Sequence, residues 1–435
     1  MVASVASVRM RPSAPLVVAM LIVFALPSLL QHASAGPEPP SPLATAYNTQ
    51  RKVARAPDGT VYAAIVVNVN GTPQVRVISS SDGASWTTLP HPSVTAHASD
   101  RASLAIDSHA RLHLVWTETT DADRQVFYAE FVAGRWTAAE QLSHSVGYAG
   151  YPSLAIDARD RAHVAWYGFD GSFYQIYYRR LEPGGWTVER ALTHESLDAT
   201  NPAIALGPEG HVHIAWFRLQ RSGTINEVAY LRLEGDAVAE TRAVSGPGVD
   251  AEDPSLAVDP AGTVHIVWTA VESGTKRLEH IARESLWSEI TTVSPAAPGA
   301  VHPSLALDGR SRLSVVWEGL DGRIYIQFRD GEWSAPSVVS AGGVNRYPAA
   351  RWSQYHNPTC GANSKIDVIW TEEEAGVSRL AYRALDAPFP CLAPRFESGP
   401  WILGGLSGAA VAGAAAYAVW LRRKWYPKPP IEPAR

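Results

Sequence analysis

The stretch SLAIDSHARLHLVW, Ser103 to Trp116, recurs almost unchanged along the chain. It returns without gaps as SLAIDARDRAHVAW (Ser153 to Trp166), AIALGPEGHVHIAW (Ala203 to Trp216), SLAVDPAGTVHIVW (Ser255 to Trp268) and SLALDGRSRLSVVW (Ser304 to Trp317). Two divergent copies end in KIDVIW at Trp370 and in TVYAAI at Ile65. The marker positions 65, 116, 166, 216, 268, 317 and 370 are spaced by 51, 50, 50, 52, 49 and 53 residues, so one supersecondary unit is repeated seven times.

Within a unit, a small apolar run such as PSLAID leads into a turn and then an alternating stretch such as AHVAW (Ala162 to Trp166). An aromatic-rich run, QIYYRRL (Gln175 to Leu181), and a fourth stretch, WTVERAL (Trp186 to Leu192), complete it. A second tryptophan series, Trp86, Trp136, Trp186, Trp287 and Trp333, opens the fourth stretch in five units. No window of helical length carries a 3.6-residue apolar period, whereas four strands per unit of about 40 to 50 residues is the pattern of a propeller blade. The expected fold is all-β, a seven-bladed β-propeller over residues 50–396, with the blade Trp packed between neighbouring sheets.

The composition of the 435 residues, 46% hydrophobic and 18% charged, is that of a folded protein, and the net charge of -5 lacks the basic field of a general nucleic-acid binder. Residues 1–35 read as a secretory signal, with Arg9 and Arg11 before an apolar run and a small-x-small site ending at Ala35. A Pro-rich lead-in follows over 36–49. Trp401 to Leu421 is 21 residues without a charge, enough to span a bilayer, so residues 397–421 read as a transmembrane helix with a short lead-in. The tail, 422–435, starts with Arg422, Arg423 and Lys424, which places it inside and the ectodomain outside the cell. Gly404 and Gly408 form a G-x-x-x-G face suited to a homodimer. The only two cysteines, Cys360 and Cys391, are expected to form a disulfide that pins the end of the last blade, worth about 3 to 4 kcal/mol by loop entropy.

The first unit carries Ser80-Ser81-Asp82-Gly83-Ala84-Ser85-Trp86, one residue short of S-x-D-x-G-x-x-W. It resembles the Asp-box, or BNR, repeat of sialidase-type β-propellers, and remnants stand at Gly134-Arg135-Trp136, Gly184-Gly185-Trp186 and Gly331-Glu332-Trp333. The resemblance implies a structural turn between third and fourth strands. Sialidases of that family carry an Arg triad, a Tyr nucleophile partnered by Glu and an Asp acid/base; their usual Arg-Ile-Pro does not occur here.

His113, His163, His213 and His265 recur three residues before the blade Trp, and Asp107, Asp157, Asp259 and Asp308 follow the inner strand. Both series read as scaffold, since equivalent positions in successive blades are too far apart for one metal. No metal or other cofactor is expected. Positions entering the inner strand differ in identity from unit to unit: Gln50, Arg101, Tyr151, Asn201, Asp253, His302 and Tyr347. With Glu118, Tyr167, Arg218, Glu318 and Glu372 from the loops after the blade Trp, they are expected to rim one channel mouth, where rings and forked donors suit a glycan or protein ligand. The leading expectation is a membrane-anchored, non-enzymatic recognition module. The alternative is a sialidase-type glycoside hydrolase using Arg101, Arg346 and Arg351 on a carboxylate, with Tyr151 or Tyr347 beside Glu118 or Glu372.

Overall fold

The computed structural model describes residues 40–46, 51–92, 97–220, 223–295, 298–307, 312–352 and 365–386, together with 31–33; for 31–33 and 352 only the backbone is described. The segments expected as transmembrane helix, tail and disulfide, and Gln50 and Asp308, lie outside them. Among the described residues no helix is long and apolar enough to cross a membrane. The chain divides at Pro388, and the unit after it also lies outside the described residues.

Seven antiparallel sheets form seven blades. Their inner strands are Val53–Arg55, Ser99–Ile106, Ala149–Ile156, Ala199–Leu206, Asp250–Val258, Ala300–Leu307 and Val344–Trp352, each in contact with the next, and the last meets the first. The ring is closed.

The repeat produces this ring through two layers of contact. Trp116, Trp166, Trp216, Trp268, Trp317 and Trp370 are essentially buried, and each lies in an apolar cluster shared by two adjacent blades, with Ile65 in the seventh such cluster. Burial of an indole on this scale is worth about 3–5 kcal/mol against alanine. The second tryptophan series also wedges between blades: Trp186 meets Tyr128 edge-on at 4.8 Å, Trp287 meets Tyr230 at 4.9 Å and Trp86 meets Tyr382 at 5.4 Å.

Inner strands of different blades share no ladder, so their outward amides need other acceptors. The repeated serine provides one. Ser103 Oγ accepts from Leu154 N (3.3 Å), Ser153 Oγ from Ile204 N (3.2 Å), Ser255 Oγ from Leu305 N (2.9 Å) and Ser304 Oγ from Ala350 N (3.1 Å).

The histidine series is scaffold, as the sequence predicts. His113, His163 and His213 each meet a third-strand tyrosine, Tyr128, Tyr178 and Tyr230, at 2.7 Å, and His265 meets His280 at 3.2 Å. Asp107 and Asp157 close their turns and touch His113 and His163 at 3.3 Å. Asp82 accepts from Ala84 N and Ser85 N at 2.8 Å each, making a tight turn between the third and fourth strands of the first blade.

Two features differ from expectation. The fourth stretch of the third blade is two short pieces, Gly185–Trp186 and Arg190–Ala191, because the Thr187 hydroxyl takes the Arg180 amide that a continuous strand would pair with a carbonyl. The outer strand of the seventh blade comes from Gln31–Ala33, antiparallel to Val377–Asp386, with Gln31 opposite Tyr382. Those residues lie inside the expected signal. Downstream, residues 40–46 bind both ends of the ring: Ser41 N and Ala44 O bond to Val66, and the Thr45 and Thr371 hydroxyls lie 2.7 Å apart. Arg55 adds an ion pair to Asp367, which stands where other blades carry histidine.

Candidate functional site

Every full-length inner strand carries a β-bulge at the same place. Opposite the second strand, one extra residue falls between Asp100 and Ser103, Gly150 and Ser153, Thr200 and Ala203, Glu252 and Ser255, Val301 and Ser304, and Arg346 and Ala349. The bulged residues are Arg101, Tyr151, Asn201, Asp253, His302 and Tyr347, with φ of 53°, 53°, 50°, 50°, 53° and 54°. None is glycine, although this left-handed region penalises any side chain by about 1–2 kcal/mol, and five of the six precede proline. A left-handed bulge repeated in six blades, on residues that differ from one another in most of them, places these side chains at one register around the ring.

Side chains from neighbouring blades meet there in two groups. On one side, the Arg101 guanidinium lies 4.4 Å over the Tyr151 ring, and that ring lies 5.2 Å from the Tyr167 ring. Tyr148 and Tyr174 extend the cluster, 5.5 and 5.2 Å from Tyr167. Asp100 accepts from both Arg101 (2.5 Å) and Arg124 (2.6 Å). Burial works against the Arg101 charge, but Asp100 and the tyrosine oxygens outweigh it and hold its pKa above the usual value. Burial raises the Tyr148 and Tyr167 pKa values, so both phenols stay protonated donors.

On the other side, His302 Nδ1 lies 2.9 Å from Glu318 Oε2 and His302 Nε2 lies 3.7 Å from Asp253. The Tyr347 amide donates to the same Glu318 oxygen at 3.1 Å, and its ring sits 4.9 Å from the imidazole. Burial opposes the His302 charge, yet Glu318 and Asp253 together raise its pKa. Desolvation raises that of Asp253. Asn201 holds the intervening position in the same backbone conformation.

Strand alternation sorts the residues expected from the loops after the blade Trp. Those one position past the Trp, Tyr167 and Glu318, reach the bulged residue of their own blade. Those two positions past it face the other way. Glu118 is 2% exposed and accepts the Trp116 indole N–H at 2.7 Å; Glu372 is 3% exposed; Arg218 bonds to Glu195 and Glu227. Arg346 is exposed and Arg351 buried, at opposite ends of Val344–Trp352, so those guanidinium groups and Arg101 occupy three different environments. Tyr148, Tyr174, Asp100 and Arg124 were not read from the sequence, although YAGY (Tyr148 to Tyr151) is an aromatic enrichment confined to one unit.

No family model matches the chain, and no curated protein matches it. Among solved structures, an ulvan lyase of polysaccharide lyase family PL25 superposes with a TM-score of 0.57 at 10% identity, covering 80% of this chain and 94% of its own. The same kind of lyase has been solved bound to -[GlcA(1-4)Rha3S]-. The polysaccharide lyase Uly1 superposes with a TM-score of 0.54 at 11% identity, covering 79% of this chain and 91% of its own. At such identities the likeness is one of fold.

Proposed function

We propose that this chain is an exported, membrane-anchored β-propeller that recognises a glycan at the mouth ringed by Arg101, Tyr151, Asn201, Asp253, His302 and Tyr347. The observation that carries the reading is the bulge: six blades hold a non-glycine residue near φ +50°, and what varies between blades is the chemistry presented. The tyrosine group offers ring faces for the apolar side of a sugar and phenolic donors for its hydroxyls, while Asp253 and Glu318 offer acceptors. Propellers of this fold that are polysaccharide lyases support a carbohydrate over a protein ligand. In this reading Trp401 to Leu421 holds the propeller outside the cell, and the face containing Gly404 and Gly408 pairs two copies.

A second reading, a glycoside hydrolase, draws on the imidazole of His302 set between two carboxylates beside Tyr347, an arrangement able to hold and move a proton. A glycan array probed with the purified protein, followed by product analysis of each bound glycan, separates the two. Binding without turnover supports recognition; cleavage of a bound glycan supports the hydrolase; no bound glycan on a broad array removes both.

A further inference from the structure

The tyrosine group depends on a side chain that the third blade omits. Just before the bulge the other full-length inner strands carry Asp100, Thr200, Glu252, Val301 and Arg346, whereas the third carries Gly150. Its backbone does not call for glycine, because Gly150 lies outside the positive-φ set. Glycine otherwise weakens a strand, so a close approach accounts for it. Tyr148 makes that approach: a Cβ on Gly150 would stand 2.8 Å from the Tyr148 Cζ and 3.0 Å from its Cε1, and closer still to the phenol oxygen.

Gly150 stands directly opposite Tyr167 in the ladder, and directly opposed residues share one face of a sheet. Tyr148 therefore takes the space that a side chain at 150 would fill, its ring 5.5 Å from Tyr167 and 6.2 Å from Tyr174 at 87°. Three positions before the bulge, where the third blade has Tyr148, the others hold Ala98, Asp198, Asp250, Gly299 and Val344. Blade packing does not require the ring. Tyr148, Tyr151 and Tyr174 belong to none of the seven apolar clusters described between the blades, and all three are half-buried. Rings that the core does not use, seated by the loss of a neighbouring side chain and left accessible, suit a ligand with a face of C–H groups.

We infer that Gly150 is a positioning residue for recognition: it seats Tyr148, and Tyr148, Tyr151, Tyr167 and Tyr174 together receive the C–H face of a single pyranose unit. The inference rests on the glycan reading and deepens it. Two measurements on the full-length protein test it, and the first needs no ligand. Gly150→Ala is expected to lower the Tm by about 2 °C or more, because the added methyl overpacks the Tyr148 ring. In a Tyr148→Ala background the same change should leave the Tm level or raise it, since alanine suits a strand better than glycine. A drop of equal size in both backgrounds would show that Gly150 does not act through Tyr148, and overturns the inference.

The second measurement is saturation-transfer NMR with methyl β-glucoside, methyl β-galactoside, methyl α-mannoside and methyl β-glucuronide as probes. At least one probe is expected to receive saturation mainly on the ring C–H protons of one face. Gly150→Ala and Tyr148→Ala should each cut that transfer roughly tenfold. Tyr148→Phe, which keeps the ring, should retain it. Transfer lost in Tyr151→Ala yet intact in Gly150→Ala overturns the inference and leaves glycan recognition standing. No transfer to any probe overturns the inference as well, and the glycan array then decides the recognition reading on its own.

Discussion

Replacing Tyr151 by glycine and by alanine separates what the mouth does from what its backbone conformation demands. Both variants lose the same ring and the same contacts with Arg101 and Tyr167, so their difference reports the backbone alone. In an ordinary strand, alanine is more stable than glycine by about 0.5–1 kcal/mol because glycine loses more chain entropy on folding. At φ +53° the order reverses, since a Cβ in the left-handed region costs about 1–2 kcal/mol and glycine has none. Tyr151→Gly should therefore be more stable than Tyr151→Ala by about 0.5–1 kcal/mol, read from urea midpoints followed by tryptophan fluorescence. Ala155→Gly, later in the same inner strand and outside the positive-φ set, should show the usual loss. A Tyr151→Ala variant as stable as Tyr151→Gly, or more so, would refute the claim that strain is stored at the bulge.

Three further expectations follow from the scaffold. Ser255→Ala leaves the buried Leu305 amide without its 2.9 Å acceptor and should cost about 1–3 kcal/mol by urea unfolding; a loss below about 0.5 kcal/mol would show that the serine does not join the blades. His213, His265 and His280 are kept neutral by burial, with pKa values down to about 3, 4 and 3, whereas unfolded imidazoles protonate below about 6.5. Stability should thus fall as pH drops from about 6.5 toward 4. His302 has the opposite sign, its raised pKa adding stability below about 6.5 that is lost as pH rises through the folded value; His302→Gln should steepen the acid loss, and urea midpoints unchanged across this range would contradict both. Mass spectrometry of the exported protein should find Gly36 as its first residue, leaving residues 40–46 to hold the ring through Thr45 and Thr371; a start upstream of Gln31 would mean that the seventh blade keeps its outer strand.

The fold was legible because the packing that builds it is periodic. Each blade interface needs one large buried side chain at one register, and the Trp series records that need directly. The register of the bulges stood out for the inverse reason: Arg101, Tyr151, Asn201, Asp253, His302 and Tyr347 vary where everything around them repeats. Their left-handed backbone did not, because no glycine marks it and the strain is imposed by the bulge rather than by local preference. Grouping Glu118 and Glu372 with Glu318 ignored the two-residue alternation of a strand, which buries the first two, Glu118 against the Trp116 indole. The pairing of Gln31–Ala33 with the seventh blade left no trace, since three residues carry no period of their own.

Isothermal titration of the protein with the strongest glycan from the array, repeated for Tyr151→Ala and Tyr347→Ala, tests recognition at the mouth most directly. The two rings stand in different groups, so a ligand lying across the mouth touches both. The account predicts that each variant keeps its fold and loses at least about tenfold in affinity, or about 1.4 kcal/mol. Wild-type affinity in both folded variants would contradict it.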